Sequence, residues 1–318
     1  MHCTNFRLTL SKLDRHDALT VTLVAARIAL VASTLGGLAS CSSSSAGECT
    51  IGADCASGVC GEDGQCAASG ADGGPGADAA DDAGPLRCTD GIDGVLESSE
   101  LPLQPGARAV FRTAQDIDFD TRPSEQGGET HWDLSGAFAG DQDEELVLLD
   151  PSEHWSSELF PTASYMAPLA SDSDLLGVFE LRDDGLFLLG VVSPEEGFAR
   201  TELEYDPPAL LLSLPAMQGT SWQSDSSISG LAQGVISVYS ETYSGRIDHT
   251  GSAETPFGEF QVLRSQVELV RTIGLVTTTV QQHSLFAECA GSVASIRSQD
   301  DESESDFSEV AELRRLAP

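Results

Sequence analysis

Two stretches of this chain alternate in a way that one backbone geometry satisfies. In Val235-Ile236-Ser237-Val238-Tyr239-Ser240-Glu241-Thr242-Tyr243, and again in Phe260-Gln261-Val262-Leu263-Arg264-Ser265-Gln266-Val267-Glu268-Leu269-Val270, apolar or aromatic residues recur largely at every second place. Period two sets one face of a strand on a core and the other toward water, as in antiparallel sheets. A third run, Ile273 to Val280, is rich in Thr and Val, and a shorter fourth spans Ser292 to Ile296. Thr255-Pro256-Phe257-Gly258, Thr272-Ile273-Gly274 and Ala290-Gly291 supply turn residues between them, so a meander is the economical topology. The runs lack the three-four spacing of a surface helix.

Upstream, strand character is expected at Ala107 to Thr113, Asp116 to Asp120, Thr130 to Leu134 and Leu146 to Leu149. Two continuous apolar runs, Leu175 to Leu181 and Leu186 to Val192, flank Arg182-Asp183-Asp184-Gly185, which reads as a β-hairpin because the glycine can take a positive φ. Tyr205-Asp206-Pro207-Pro208 is expected to stop one strand before another begins at Ala209 to Leu214. The fold class expected is mainly β: a curved antiparallel sheet, half-barrel or sandwich-like, over residues 88–298. After Gln299, DDESESDFSE reads as an acidic tail, and VAELRRL within 299–318 as a possible short helix.

The N-terminus has a different logic. Arg7, Lys12 and Arg15 precede an apolar run from about Ala18 to Ala39, and small residues follow, which is the order of an export signal over residues 1–40. A membrane-spanning helix ending at Leu38 is disfavoured by Arg27 within the run, by Gly36 and Gly37, and by the missing basic flank. The segment ends Leu38-Ala39-Ser40-Cys41, which resembles the lipobox of bacterial lipoproteins. That resemblance implies diacylglyceryl attachment and N-acylation at Cys41, and with them a membrane partner reached through covalent lipid. Ser42 is not the aspartate that retains enterobacterial lipoproteins at the inner membrane, so the expected address is the envelope, with the outer membrane favoured.

Residues 41–48 form the tether. Cys49, Cys55, Cys60 and Cys66 then fall within 18 residues that include Gly52, Gly58, Gly61 and Gly64. In an exported segment almost without apolar side chains they read as two disulfides, with three connectivities open. Spacers of five, four and five residues lack the C-x₂-C pairs of a four-thiolate metal site. The run resembles the short cysteine modules of myxobacterial-type surface lipoproteins and the Dickkopf N-terminal cysteine pattern, which implies a spacer or recognition module over 49–66 and no chemistry. Residues 67–87 form a Gly/Ala/Asp linker with too little apolar area to order itself and no calcium-loop register. Cys88 and Cys289 remain; a long-range disulfide between them is expected, against intermolecular pairing or a buried thiol.

Charge narrows the partners. The chain has 16 basic and 51 acidic residues, a formal −35; four basic and two acidic residues precede Cys41, leaving 12 against 49. Such a chain should avoid nucleic acid and gain nothing from anionic lipid. After Cys41 it contains neither lysine nor asparagine, which removes lysine chemistry and N-glycosylation there.

No metalloprotease, nucleophile-elbow, phosphate-loop or dinucleotide motif occurs. His131 with Asp133, or His154 with Glu153, could form an acid/base pair, though His131, His154, His249 and His283 read first as surface histidines. Asp141, Asp143, Glu144 and Glu145 are weak calcium candidates that a solvated loop explains as well. Trp132, Trp155, Phe179, Phe187, Trp222, Tyr239 and Tyr243 are core aromatics first and, in an open curved sheet, a possible apolar cleft. Gly219-Thr220-Ser221-Trp222, Thr255 to Arg264 and Phe286 to Val293 resemble a pattern of bacterial exported β-proteins, with Phe286 where tryptophan is commoner. That resemblance implies a curved sheet related to the half-barrel of lipoprotein carriers. The function expected is a non-enzymatic, lipid-anchored envelope protein whose β domain binds or scaffolds a protein or other partner, with no cofactor. The alternatives are a carrier of a hydrophobic ligand and an exported hydrolase whose residues meet only in space.

Overall fold

The structure is a computed structural model that describes residues 93–318. The expected signal, lipidation site, cysteine module and linker lie outside the described residues. Fourteen strands form one sheet: β1 (Arg108–Asp118), β2 (Ser124–Gln126), β3 (Glu129–Asp133), β4 (Gln142–Val147), β5 (Tyr165–Pro168), β6 (Leu176–Arg182), β7 (Gly185–Val192), β8 (Glu202–Ser213), β9 (Ser221–Ala232), β10 (Val235–Glu254), β11 (Glu259–Ile273), β12 (Val276–Ala287), β13 (Gly291–Ser298) and β14 (Glu309–Ala317). From β5 to β14 each strand pairs antiparallel with the next; β14 then pairs with β1, and β1 with β4. The sheet curves until its two edges meet at one point. Leu149, just past β4, gives its N–H to the Met166 carbonyl of β5 at 2.9 Å and accepts the Met166 N–H at 3.0 Å. The half-barrel expectation is therefore exceeded, because twelve strands make a nearly closed ring.

Cross-strand pairs fix which side chains share the inner face. Tyr205 pairs with Ile228, Ile228 with Tyr239, Tyr243 with Leu269, and Leu263 with Phe286, and all belong to or pack on one interior cluster. Around β9 the outer face is open to water, with Ser221, Gln223, Asp225, Ser227 and Ser229 exposed, so the sequence alternates there. On β5–β7 both faces are covered. Met166, Val178, Leu189 and Val192 point outward into a second cluster roofed by Phe160 and Trp155, which explains why the two central runs are continuously apolar. A third cluster lies outside β11–β14, where Val262, Leu285, Ile296 and Leu313 meet Trp132, Leu134 and Phe307.

Two arginines fasten those outer coverings. Arg264 on β11 holds Asp248 with Nε at 2.9 Å and Nη2 at 2.6 Å, and its Nη1 reaches Asp306 at 2.9 Å and the Thr121 carbonyl at 3.1 Å. Arg315 on β14 is fully buried, ion-paired with Asp141, and lies over the Phe138 ring. β3 docks in parallel on the overhanging end of β10. Gly251 permits this approach, since a Cβ there would lie 2.1 Å from the Thr130 carbonyl oxygen.

One end of the ring is closed where the chain enters. Leu96 exchanges two backbone hydrogen bonds with Ala216, Leu96 and Leu101 enter the interior cluster, and the Gly94 N–H donates to the Glu288 carboxylate at 2.8 Å. The other end carries the β9–β10 and β11–β12 hairpin tips and the β7–β8 loop.

Several expectations need correction. Pro207-Pro208 does not end a strand: β8 runs through it, with register shifts against β7, and loses its ladder to β9 after Asp206, where proline has no N–H to give. Asp116 to Asp120 is not a separate strand, because β1 continues to Asp118. The segment taken for a tail belongs to the barrel: β14 occupies the slot between β13 and β1, and Phe307 ahead of it is buried. Val-Ala-Glu-Leu-Arg-Arg-Leu favours helix locally, but two strand edges with open ladders outweigh propensities of a few tenths of a kcal/mol per residue.

Candidate functional site

The ring interior has two halves of different chemistry. Along β5–β10 it is aromatic and aliphatic, with Tyr165 stacked on Phe179 at 5.0 Å. Along β12–β14, β1 and β4 it turns polar: Ser284 faces Ser295, Ser295 faces Arg314, Arg314 faces Thr113, and Phe111 faces Glu144. The polar half meets the seam between β4 and the β5–β6 loop, where the two edges have separated beyond the Leu149–Met166 bridge. A cavity of about 380 Å³ lies there, lined by Phe111, Glu144, Leu146, Pro168, Ser171 and Arg314 among others.

Arg314 is positioned by β14, with Glu312 beside it on the same strand, and Glu144 by β4. Glu312 is nearly buried, and its Oε2 accepts from the Ser171 N–H at 2.9 Å and from the Ser171 hydroxyl at 2.5 Å. Gln115 Nε2 donates to the same hydroxyl at 2.8 Å. Arg314 Nε lies 2.9 Å from Glu312 Oε1, an ion pair whose angle makes no hydrogen bond. Glu144 Oε2 accepts from Thr113 at 3.3 Å. A mostly buried guanidinium thus faces a cavity whose lining also holds Glu144, Glu145, Ser171 and Ser173. Such a set can bind a small polar molecule carrying both acceptors and donors.

A second polar group is sealed in the apolar half. Glu241 on β10 is fully buried; Tyr243 donates its hydroxyl to Oε2 at 2.6 Å, and Arg271 Nε donates to Oε1 at 2.6 Å. Burial first, then the Glu241 charge, pushes the Tyr243 hydroxyl well above its usual range, so it stays a donor. Arg271 is about half exposed and stands between this carboxylate and water. The neighbouring Ser226 hydroxyl has no partner.

The seven aromatics expected in one cleft are divided. Phe179, Trp222, Tyr239 and Tyr243 face the interior, Trp155 and Phe187 pack in the outer cluster on β5–β7, and Trp132 lies in the outer cluster on β11–β14. Closure of the sheet gives the residues two sides to occupy, so one shared apolar cleft does not form.

The calcium candidates are likewise divided: Asp141 serves Arg315, Asp143 serves Arg112, Glu145 approaches Arg108, and Glu144 points into the seam. Among the described residues, no group of three or more His, Cys, Asp or Glu is placed to hold a metal ion.

The histidines are dispersed. His131 Nδ1 lies 2.8 Å from the Ser252 hydroxyl, while Asp133 is taken by Ser135. His154 binds Ser156 and the Pro194 carbonyl, and burial lowers its pKa. His249 stands beside Asp248, and His283 is buried under the Ser305 carbonyl. Cys289, in the β12–β13 turn, is not a free thiol, and Cys88 lies outside the described residues.

Sequence reasoning passed over Arg314, Glu312, Glu241 and Arg271. Scarcity was the available signal, since in a chain this acidic an arginine inside a strand has a carboxylate to meet. No family model, curated protein or solved structure matches the chain.

Proposed function

We propose that the chain is a non-enzymatic, lipid-anchored envelope protein whose barrel is a binding domain, with the seam cavity as its ligand site. The anchoring half rests on Leu38-Ala39-Ser40-Cys41, and the localisation expected at the outer membrane follows from it. Pairing of Cys88 with Cys289 belongs to the same reading, as the tie between the start of the domain and its late strands.

The binding half rests on one observation: the guanidinium of Arg314 and the carboxylate of Glu144 line a cavity of about 380 Å³ at the gap in an otherwise hydrogen-bonded wall. The packed aromatics of the apolar half support a polar ligand over an acyl chain, since they occupy the space a hydrophobe would need. The dispersal of the histidines supports binding over hydrolysis.

The reading is tested by thermal shift of the full chain against free amino acids, small hydroxy acids and hexoses at millimolar concentration. A ligand present at about 100 times its Kd should stabilise by about 2.7 kcal/mol. Arg314→Gln should abolish that shift, read against the variant's own unliganded melting, which falls because Glu312 loses its counter-charge. A shift of equal size in Arg314→Gln, or none with any of the three classes, would overturn the seam as the binding site.

A further inference from the structure

The open end of the ring bears apolar side chains where turns normally carry polar ones. Leu275, in the β11–β12 tip, and Phe198, in the β7–β8 loop, are fully exposed, and Ile236 is 81% exposed. Val235 and Val238 on β10, and Ile273 and Val276 beside Leu275, are also more than half exposed.

These positions lie on neighbouring segments of one rim. Ser240 is opposite Thr272, so continuing the ladder sets the β11–β12 tip beside Val238 and Ile236. Gly234 turns the β9–β10 hairpin with φ +77 against the Phe198 carbonyl, where a Cβ would lie 2.5 Å from that oxygen. The patch is therefore a crest of two hairpin tips and one loop, apolar at its summit, on a barrel whose β9 wall is serine-rich and wet.

We propose that this crest dips into the bilayer that holds the lipid anchor, so that the barrel contacts the membrane through its open end. The inference rests on the anchoring reading. Two features favour lipid over a second copy of the chain. Stacking copies crest to crest would bring together chains of formal charge −35, with Glu195 and Glu196 beside Phe198, whereas a zwitterionic bilayer presents no such repulsion. The 51 residues between Cys41 and Asp93 are enough chain to let the crest reach the surface that holds the anchor, since a stretch of that length can span at most roughly 170–180 Å.

The experiment uses the full chain, purified from membranes and reconstituted in phosphatidylcholine vesicles with or without brominated acyl chains. Leu275→Trp adds a reporter at the summit, and Asp183→Trp places one at the opposite end; both sites are exposed turns, and the parent supplies the background of its own tryptophans. The expected result is a blue-shifted Leu275→Trp signal that brominated lipid reduces about twofold, with the Asp183→Trp signal unaffected, because insertion to the headgroup–acyl boundary brings the ring within reach of bromine. Adding Ile236→Asp and Val276→Asp should return the Leu275→Trp signal to the control level. Vesicle-bound protein with no bromine quenching at Leu275→Trp would overturn the crest contact and leave the anchor standing. A blue shift that grows with protein concentration and ignores bromine would overturn it in favour of self-association. Quenching that persists with full vesicle binding in a Cys41→Ser chain would support the crest and overturn the anchor.

Discussion

His283 shows how a single side chain can make this barrel sensitive to acid. It has no exposed surface, and its Nε2–H donates to the Ser305 carbonyl at 2.8 Å, which leaves Nδ1 unprotonated and without a partner. Burial, followed by the positive charge of Arg264, pushes its pKa down from 6.5 to about 4, against the opposing pull of the Ser305 carbonyl, Asp306 and Asp248. Between those two values the unfolded chain takes up a proton that the folded chain refuses. The stability tied to neutral His283 is therefore complete above pH 6.5, falls as the pH drops, and is gone below about 4. The interval corresponds to about 3 kcal/mol. His283→Gln keeps an N–H for Ser305 and removes the titration, so denaturant unfolding near pH 7 and near pH 4 should show the parent losing about 3 kcal/mol more than the variant. Parallel losses in the two proteins would mean that the imidazole titrates freely in the fold.

At the scale of elements, what could be read in advance depended on how many faces of a strand are covered. The first half of β10 was legible because one side is wet, so Tyr239, Glu241 and Tyr243 alternate with Ser240 and Thr242. β6 and β7 were legible as strands by their length and the Asp183-Asp184-Gly185 turn, although the outer roof that makes them continuously apolar comes from residues 151–164, which carry no pattern of their own. β14 was not legible. Its inward Glu312 and Arg314 are charged and its outward Leu313 and Arg315 are mixed, so alternation is masked, and only the vacant slot between β13 and β1 makes it a strand. The seam site suffered the same fate, since Glu144, Ser171 and Arg314 are far apart in sequence and meet only when the ring closes. If β14 is the closing strand, a chain ending at Ser308 leaves two unpaired edges and an unroofed interior. Its far-ultraviolet circular dichroism should then melt without a cooperative transition. A sharp transition at the parent's temperature would make residues 309–318 a dispensable tail.

The whole molecule combines a few deeply held arginines with a large surplus of carboxylates. Arg264 and Arg315 have side chains 2% and 0% exposed, so salt screens their pairs little, and removing either guanidinium would leave a carboxylate without its counter-charge. The exposed pairs, such as Arg108 with Glu145, contribute at most about 1 kcal/mol each. The remaining acidic residues repel one another over the surface of a chain whose formal charge is −35, and this long-range term is the one that electrolyte weakens. Raising sodium chloride from about 10 mM to about 500 mM shortens the screening length from roughly 30 Å to a few ångströms. The surface repulsion should then fade while the buried pairs persist, and the melting temperature should rise by several degrees, since about 1 kcal/mol moves a domain of this size by roughly 2–4 °C. A sucrose series of matched osmolality separates this screening from solute exclusion. If the melting temperature fell with salt, the exposed ion pairs would outweigh the net charge, and the wall would be held by its surface instead of by the two arginines beneath it.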